Sequence, residues 1–373
     1  MNILFITQLF PADREAKHTS EALREFIEEW GRSGHHVKVI RPYFRYETEP
    51  FPVPSRFTIG DRIDVGFVRP FRIPLLKLSW YNHKKIIKKL QMKPDVIICH
   101  LYNAYFTFHR LARELGVPLI IGIHMSDIQL AKNRFHRWRQ KKIFKDAAAF
   151  ACRSYAYQRS FLNLFPEYAD RTFPALSGIP AKYLEWSKRN PSFGMNRIIS
   201  VGWLYKRKQI DKVLEVLAQL PEQFVWEYTI VGSGEEEQPL KRKCHELGLT
   251  EKVRFEGELK RDEVIKELTA NDIFILPSYN ETLGLVYLEA MACGCITIGA
   301  RNEGIDGIIE DGENGFLCEA GSGESIKQKL VQALQLTPVQ KENMIKKSLQ
   351  TIREFSVEHQ ARKYLENINK YRS

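Results

Sequence analysis

The segment Ile273–Cys295 constrains the fold more than any other, because it combines a strand, a glycine-containing turn and a helix in direct succession. The apolar run Ile273–Leu276 predicts the strand. After the turn N-E-T-L-G, apolar residues follow helical spacing, at Leu285, Val286, Leu288, Ala290 and Met291. Such a unit is typical of a parallel α/β sheet, and the free N–H groups at the start of its helix can bind an anion. An ordinary βα unit with two surface glutamates, Glu281 and Glu289, is the alternative.

Apolar runs alternate with amphipathic stretches along the whole chain, which predicts parallel sheets with helices on both faces. A length of 373 residues with 44% hydrophobic content suffices for two such domains. The interrupted stretch 178–196 predicts the break between them, and the alternation restarts at Arg197–Gly202. In the first half the predicted strands are Asn2–Thr7, Val37–Arg41, Asp95–Cys99, Pro118–Ile123 and Ala147–Cys152, and the predicted helices include Ser20–Arg32, Tyr81–Leu90 and Tyr102–Leu115.

Residues 42–78 are rich in proline and show little periodicity, so we predict extended connections and a loop there. No run approaches the roughly 18 apolar residues needed to cross a bilayer. The opening MNILFITQLF lacks a basic region and a small-residue cleavage site, which favours a buried strand over a signal peptide. The six cysteines have no C-x-x-C spacing and are predicted to be reduced, packed thiols of a cytosolic protein.

The positive charge is concentrated in the first half of the chain. Residues 1–185 hold 30 Lys/Arg and 17 Asp/Glu, a net charge of +13, whereas the whole chain carries +11. Two segments, 83–93 and 134–145, concentrate this basic charge. Aromatic and apolar residues are interleaved with it or lie close to it: Phe135, Trp138 and Phe144 in the second segment, and Phe67, Phe71, Leu75, Leu76, Trp80 and Tyr81 in a neighbouring stretch. Basic residues with exposed aromatics are typical of a protein that lies on an anionic leaflet. The alternatives are a nucleic-acid surface and a solvated helix face whose rings point into the core.

Five motifs in the second half resemble a known family. Besides Glu281 and Glu289, which are eight positions apart, the chain contains VGWLYKRKQIDKVLEVLAQL at 201–220, IVGSGEEEQPL at 230–240, VRFEGEL at 253–259 and IEDGENGFL at 309–317. Their order and form resemble the retaining nucleotide-sugar glycosyltransferases of family 4 with a Glu-x7-Glu signature. The first half resembles them more loosely, through MNILFIT and GIHMSD at 122–127.

The resemblance implies two facing Rossmann-like domains of the GT-B type with a cleft between them. It implies an acceptor-side domain over residues 1–180 and a donor-binding domain over 195–355. A C-terminal helix, at 357–371, would return to the first domain. The acceptor would meet the loop within residues 42–78.

The resemblance also implies where a nucleoside-diphosphate sugar would bind. Lys208 and Arg207 are predicted to stabilise the departing diphosphate, because the chain has no Asp-x-Asp pair to hold a metal. Glu281 is a further catalytic candidate. Glu289 would accept hydrogen bonds from the ribose. The predicted donor site further includes Gly284, Leu285, Val286, Gly202, Leu259 and Thr282. Neither a metal nor another cofactor is expected.

His124 is the catalytic candidate of the first half, because it ends a predicted strand at the carboxyl edge where open α/β sheets bind ligands. In the family the matching histidine contacts the donor sugar and does not act as the base. Asp127 could cap the following helix or hold an acceptor hydroxyl. Lys17 and His18 are acceptor-side candidates that could replace backbone amides at a helix start.

Several positions depart from the family pattern. Trp203 follows Gly202 where arginine is usual, and residues 8–22 lack a common glycine pair. Gln209 and Ile296 replace a glycine and a proline, and Gly307 stands where a glutamate is frequent. A non-catalytic partner subunit with a degraded donor site is therefore an alternative. A dinucleotide oxidoreductase is disfavoured, since no G-x-G-x-x-G follows the first strand.

These features together predict a cytoplasmic, membrane-surface glycosyltransferase that acts with retention and without metal. The donor is expected to be a UDP-sugar and the acceptor a lipid-linked or polysaccharide glycan of the cell surface. The basic first half would contact the inner face of the cell membrane, and no nucleic acid is expected to bind.

Overall fold

The computed structural model describes residues 1–11, 21–44, 56–73, 78–185 and 196–372. The chain divides into two compact units. The first comprises Met1–Arg153, Tyr157–Ser177 and Val357–Ser373, and the second comprises Ser154–Ala156 and Gly178–Ser356.

The first unit is built on a sheet whose described part has the strand order β10-β9-β8-β7-β1-β2-β4-β3. All neighbouring pairs are parallel except β3 and β4. The central strands are continuous apolar runs because helices cover both of their faces. The strands are β1 Asn2–Ile6, β2 His36–Pro42, β3 Arg56–Ile59, β4 Ile63–Val68, β5 Phe71–Ile73, β6 Leu78–Trp80, β7 Val96–His100, β8 Leu119–Ile123, β9 Ala149–Cys152 and β10 Thr172–Pro174, with β5 and β6 forming a separate antiparallel pair.

The helices that pack on this sheet are α1 Glu21–Arg32, α2 His83–Lys89, α3 Tyr102–Leu115, α4 Met125–Ala131, α5 Arg134–Phe144 and α6 Tyr155–Leu164, followed by a 3₁₀ turn at Pro166–Arg171. Four of the parallel strands, β1, β7, β8 and β9, are each followed by a helix at the carboxyl edge of the sheet, as in βα units. The predicted start of the first helix at Ser20 lies outside the described residues, as do Lys17 and His18.

The prediction for residues 42–78 was wrong where the structure describes them. In place of loops, β4 pairs in parallel with β2 and β3 folds back on β4, so both belong to the sheet. In β4 every second residue is buried, at Ile63, Val65 and Phe67. The flanking prolines and charges obscured this short alternation, whereas burial against the rest of the unit stabilises it.

The first unit includes a helix from the C-terminal part of the chain, Val357–Asn369. In the first unit this last helix, α13 Val357–Asn369, packs against α1. The Trp30 Nε1–H donates to the Ala361 carbonyl at 3.0 Å, and the Tyr364 ring lies 5.4 Å from the Trp30 ring. Burial of these aromatic side chains fixes the helix on the sheet.

The second unit contains a parallel sheet with the strand order β13-β12-β11-β14-β15-β16. Its strands are β11 Asn196–Val201, β12 Trp226–Val231, β13 Val253–Gly257, β14 Ile273–Ile275, β15 Ile296–Ala300 and β16 Phe316–Cys318. Its helices are α7 Ile210–Leu217, α8 Glu237–Glu246, α9 Arg261–Ala270, α10 Leu285–Ala292, α11 Gly323–Leu334 and α12 Pro338–Ile352, with 3₁₀ turns at Ala181–Glu185, Lys206–Lys208 and Arg353–Phe355. The prediction of two parallel-sheet Rossmann-like domains is therefore confirmed.

Two glycines allow neighbouring turns of the second unit to approach closely. A Cβ added at Gly232, where φ is +133°, would lie 2.0 Å from the Gly202 carbonyl oxygen. Gly232 follows β12 and donates from its N–H to the Gly257 carbonyl at 2.7 Å. The turns after β11, β12 and β13 therefore meet only because this position lacks a side chain.

We expect Gly232→Ala to lower the free energy of unfolding by about 2–5 kcal/mol, because backbone must move to admit the methyl group. Urea unfolding would measure the loss. Gly248→Ala is the matched control, since its φ is also positive, at +69°, but no atom lies within 4 Å of the added Cβ. It should cost about 1–2 kcal/mol of backbone strain. Equal losses in both variants would contradict the close approach at Gly232.

None of the helices in the described residues is long and apolar enough to cross a membrane.

Candidate functional site

A cationic cluster lies at the carboxyl edge of the second sheet, in the turn after β11. Lys208 Nζ and Arg207 Nη1 both contact Glu281 Oε2, at 2.5 Å and 3.0 Å. The Lys208 and Glu281 side chains are 8% and 13% exposed, whereas Arg207 retains 35% exposure. The structure therefore brings together three of the predicted catalytic residues, the two cations and Glu281.

The electrostatics of this cluster reflect its burial. Burial lowers the pKa of Lys208, although the Glu281 carboxylate opposes the shift. Burial also tends to raise the pKa of Glu281, but the Lys208 and Arg207 charges outweigh it and hold that pKa below its usual value. One carboxylate thus holds two cations in place, and this arrangement costs less reorganisation when an anion binds beside them.

The start of α10 lies directly against this cluster. Gly284 caps the helix with φ of +74°, and a Cβ there would be 3.2 Å from Glu281 Cγ. The first N–H groups of a helix have no partner within it, so those at Leu285 and Val286 can donate to an anion at the helix start. Gly202 borders the same space, because its added Cβ would be 3.7 Å from Lys208 Nζ.

Glu303 is a member of the site that the sequence interpretation missed. Its carboxylate accepts a hydrogen bond from the Glu281 N–H at 2.8 Å, and Gly304 N–H donates to the Glu281 carbonyl at 3.0 Å. The loop after β15 thereby fixes the backbone that carries Glu281 and, next to it, half-buried Thr282. A glutamate in a loop has no periodicity that would have revealed this role.

Glu289 lies five residues into α10 and is almost fully buried. Its Oε1 accepts from Arg261 Nε at 2.8 Å. Arg261 begins α9 directly after the turn that contains half-buried Leu259, so this ion pair connects the predicted ribose and base positions. The sequence interpretation did not include Arg261, because a basic residue at a helix start is ordinarily solvated.

Trp203 and Tyr205 form an exposed aromatic pair beside the cations. Each is 39% exposed, and their rings stack with centroids 6.4 Å apart. Gln209, where the family commonly has glycine, adopts a left-handed conformation with φ of +55°. This conformation explains the glycine preference, and Gln209 compensates by accepting from the Gly321 N–H at 2.8 Å.

In the first unit, His124 caps α4 at the end of β8 and belongs to a chain of hydrogen bonds. His124 Nε2 lies 3.0 Å from His100 Nδ1, and His100 Nε2 lies 3.2 Å from the Tyr364 hydroxyl of α13. Burial lowers the pKa of His124 to about 3, so its imidazole is neutral near pH 7. A neutral ring can orient a hydroxyl but carries no charge for a diphosphate.

His100 and Tyr364 were missed by the sequence interpretation. His100 could have been found, because it is the last residue of β7, just as His124 directly follows the last residue of β8. Both positions lie at the carboxyl edge of the sheet. Its ring fits over Gly122, where an added Cβ would be 2.3 Å away. Tyr364 is 264 residues distant in sequence from His100 and gave no such signal.

The structure selects the capping role for Asp127. Its Oδ2 accepts the His124 N–H at 2.8 Å, and its Oδ1 accepts the Tyr105 hydroxyl at 3.1 Å. The residue is 2% exposed. Its carboxylate therefore fixes the turn that carries His124, so the acceptor-hydroxyl alternative has no accessible oxygen to use.

Burial raises the pKa of Asp127 to about 7 despite these hydrogen bonds. Between about pH 4 and 7 the Asp127 carboxyl therefore keeps its proton in the folded state but loses it in the unfolded state. Because the folded state binds more protons, the free energy of unfolding of the wild type falls as the pH rises through this window. We expect Asp127→Asn to remove this decline. The difference in free energy of unfolding between wild type and variant should therefore change by a few kcal/mol between about pH 4 and 7. Urea unfolding across the window measures it. Asp61→Asn, which changes an exposed carboxylate, should run parallel to wild type. A constant difference for Asp127→Asn would contradict the raised pKa.

The aromatic residues predicted to be exposed divide into two groups. Phe71 and Trp80 are both 65% exposed, and Phe135 and Trp138 are 60% and 52% exposed. Phe67 and Phe144 are buried, so their assignment to the surface was wrong. Phe144 packs in an aromatic core, with its centroid 4.9 Å from Phe150. Leu75 and Leu76 lie outside the described residues.

The arrangement as a whole defines a class of protein, because two Rossmann-like units with a cationic, glycine-capped anion site are typical of nucleotide-dependent transferases. Comparison with known families gives the assignment. The model Glycosyltransferase Family 4 matches residues 20–172, and the model Glycosyl transferases group 1 matches residues 185–351. The chain therefore belongs to the two-domain nucleotide-sugar glycosyltransferases.

Individual relatives agree with this family. The lipopolysaccharide core biosynthesis glycosyltransferase LpsE of Rhizobium meliloti is 33% identical over 36% of this chain and 38% of its own. The sulfoquinovosyl transferase SQD2 of Arabidopsis thaliana is 35% identical over 74% of this chain and 57% of its own. The matched segments thus span less than two thirds of these relatives' lengths. The fold is also that of Anabaena HepE in complex with UDP and glucose, with a TM-score of 0.70, 18% identity, and coverage of 99% of this chain and 100% of that one.

Proposed function

We propose that this protein is a retaining, metal-independent glycosyltransferase that moves a sugar from a UDP-sugar to a lipid-linked or polysaccharide acceptor. The observation that carries the proposal is the pair of cations, Lys208 and Arg207, held by Glu281 beside the glycine-capped start of α10. Retention rests on the resemblance of the motifs to the retaining family.

The chemistry follows from the charge that develops on the leaving diphosphate. When the bond between sugar and phosphate breaks, negative charge increases on the diphosphate oxygens, and fixed positive groups lower the barrier. Lys208 and Arg207 supply two cations, and the amides at Leu285 and Val286 supply hydrogen-bond donors. These groups take the part that a divalent metal plays in other transferases.

The donor would lie along the carboxyl edge of the second sheet. Glu289 Oε1 accepts from Arg261, and in this proposal Oε2 would accept from a ribose hydroxyl. The turn at Leu259, which precedes Arg261, would contact the base. UDP is the favoured nucleotide, supported by the UDP complex of HepE, which shares this fold.

The proposed acceptor is a glycan in cell-surface polysaccharide or lipopolysaccharide assembly, supported by the lipopolysaccharide role named for LpsE. The proposed location is the cytoplasmic face of the cell membrane, where lipid-linked glycans are elongated. The net charge of +13 in residues 1–185 and the exposed rings of the first unit support contact with an anionic leaflet.

Calorimetric and thermal-shift binding of UDP, GDP, ADP and CMP, with and without EDTA, would test the donor proposal. We expect UDP to bind and to raise the melting temperature equally in both conditions. Binding of a different nucleoside diphosphate would correct the base, and loss of binding in EDTA would contradict metal independence. No binding of any nucleotide would favour the non-catalytic partner subunit, in which Trp203 replaces a needed cation.

A further inference from the structure

A cavity of about 610 Å³ lies in the first unit between α3, the start of α2 and the end of β6. Its wall includes the aromatic residues Trp80, Tyr81 and Phe106 and the basic residues Lys84 and Arg110. This volume is within the range of sites that bind small ligands. None of the residues in the donor site or the His124 chain lines it.

The walls of this cavity are fixed by hydrogen bonds between separate elements. His83 joins α2 to α3, with Nδ1 2.9 Å from Glu114 Oε1 and Nε2 3.2 Å from the Thr107 carbonyl. The Ser79 hydroxyl of β6 contacts the Thr107 hydroxyl. Because three elements are joined in this way, the cavity is formed before any ligand arrives.

The charge of the cavity favours an anion. The Lys84 ammonium and the Arg110 guanidinium are exposed, and neither has an ion-pair partner in the parts of the chain that the structure describes. The nearby Glu114 carboxylate already contacts His83. Two cations at an open polar cavity match a phosphate group, which accepts several hydrogen bonds.

Exposed aromatic rings lie on elements that form or adjoin the cavity. Phe71 and Trp80 are opposite each other on β5 and β6, so their side chains share one face of the hairpin. On α5, Phe135 and Trp138 stack with centroids 6.0 Å apart. Arg139 connects α5 to the cavity wall, because its guanidinium lies 4.3 Å from the Phe106 ring and 5.7 Å from the Phe135 ring. One aromatic pair therefore includes a residue of the cavity wall, and the other is linked to that wall through Arg139.

We propose that this cavity binds the phosphate of one anionic lipid headgroup while the surrounding aromatic rings enter the interfacial layer of the leaflet. The proposal rests on the proposed function, in which the acceptor is carried by a lipid. Aromatic rings concentrate at the membrane interface, and basic side chains near an anionic leaflet bind it electrostatically. Two further lysines of α2, Lys85 and Lys88, are exposed and add diffuse attraction.

Flotation of the full chain with vesicles would test this assignment. Wild type should bind vesicles of phosphatidylcholine containing phosphatidylglycerol and should not bind phosphatidylcholine alone. Lys84→Ala/Arg110→Ala removes the cavity cations, and Lys85→Ala/Lys88→Ala is the matched control that removes the same charge outside the cavity. We expect the cavity variant to lose about tenfold more partitioning than the control, because it also loses the phosphate contacts. Phe71→Ala/Trp80→Ala should also weaken binding.

Three outcomes would overturn the proposal. Equal losses of binding in the cavity variant and in its lysine control would show that only diffuse charge attraction acts. Failure of the wild type to bind either kind of vesicle would exclude binding to the leaflet. Soluble glycerol phosphate that binds the chain as tightly in the absence of vesicles would assign the cavity to a free phosphorylated compound. Calorimetry with UDP on the same variants checks folding. If the wild type bound vesicles but did not bind UDP, the proposed function would be overturned and the lipid site would remain.

Discussion

Lys208→Ala is expected to lower the rate constant for sugar transfer by about 10²–10³-fold, the usual loss when one fixed group that stabilises developing charge is removed. Lys208 is buried and donates to Glu281 at 2.5 Å, so no flexible surface lysine can take its position. Arg207 remains beside Glu281 at 3.0 Å and preserves part of the positive charge. The kinetics should therefore show a fall in kcat that exceeds any rise in KM.

The control for this variant is Lys266→Ala, which removes an exposed lysine from α9 and should leave transfer unchanged. Thermal unfolding of Lys208→Ala is needed as well, because the variant leaves the Glu281 carboxylate with one cation. Lys208→Arg keeps the charge and should recover part of the rate. A rate within a factor of about three of wild type for Lys208→Ala would contradict the site assignment.

Glu289→Ala is expected to weaken UDP binding by about tenfold to hundredfold, because a hydrogen bond to a charged group contributes about 1.5–3 kcal/mol. The carboxylate is held in one orientation by Arg261 at 2.8 Å, so its second oxygen is preorganised for a ribose hydroxyl. Isothermal titration calorimetry with UDP and with uracil measures the effect. Uracil lacks the ribose, so its binding should be unaffected.

Glu289→Gln keeps the shape and one acceptor oxygen and should give an intermediate affinity. Glu222→Ala removes an exposed carboxylate at the amino edge of the same sheet and serves as the control. An unchanged UDP affinity in Glu289→Ala, with a folded protein, would show that the pair with Arg261 is purely structural.

The strands and the donor-site turn were predictable because each depends on a local pattern. β7, β8 and β9 are apolar runs bounded by polar residues, and the glycine at 284 marks the start of α10. The observed helix Tyr102–Leu115 has the predicted bounds. In β3 and β4 the local pattern was weak, and pairing with β2 decided the outcome.

The site residues divide in the same way. Lys208, Arg207 and Glu281 could be identified from motifs, but their convergence on one carboxylate oxygen joins positions 73 and 74 residues apart. Arg261 and Glu303 could not be identified at all, since each acquires its partner from another βα unit. The same holds for the aromatic rings, because the helical pattern of α5 left open that Phe135 faces solvent and Phe144 the core.

The sequence by itself determined the two parallel α/β units, the glycosyltransferase family and the main cations of the donor site, because periodicity, turn glycines and motif spacing are properties of short segments. Only the tertiary structure decided which groups neutralise, cap and orient these residues. Tyr364 reaches His100, Arg261 reaches Glu289, and Asp127 is buried beneath His124. Such contacts arise when distant segments exclude water together, and burial then sets their pKa values and hydrogen bonds.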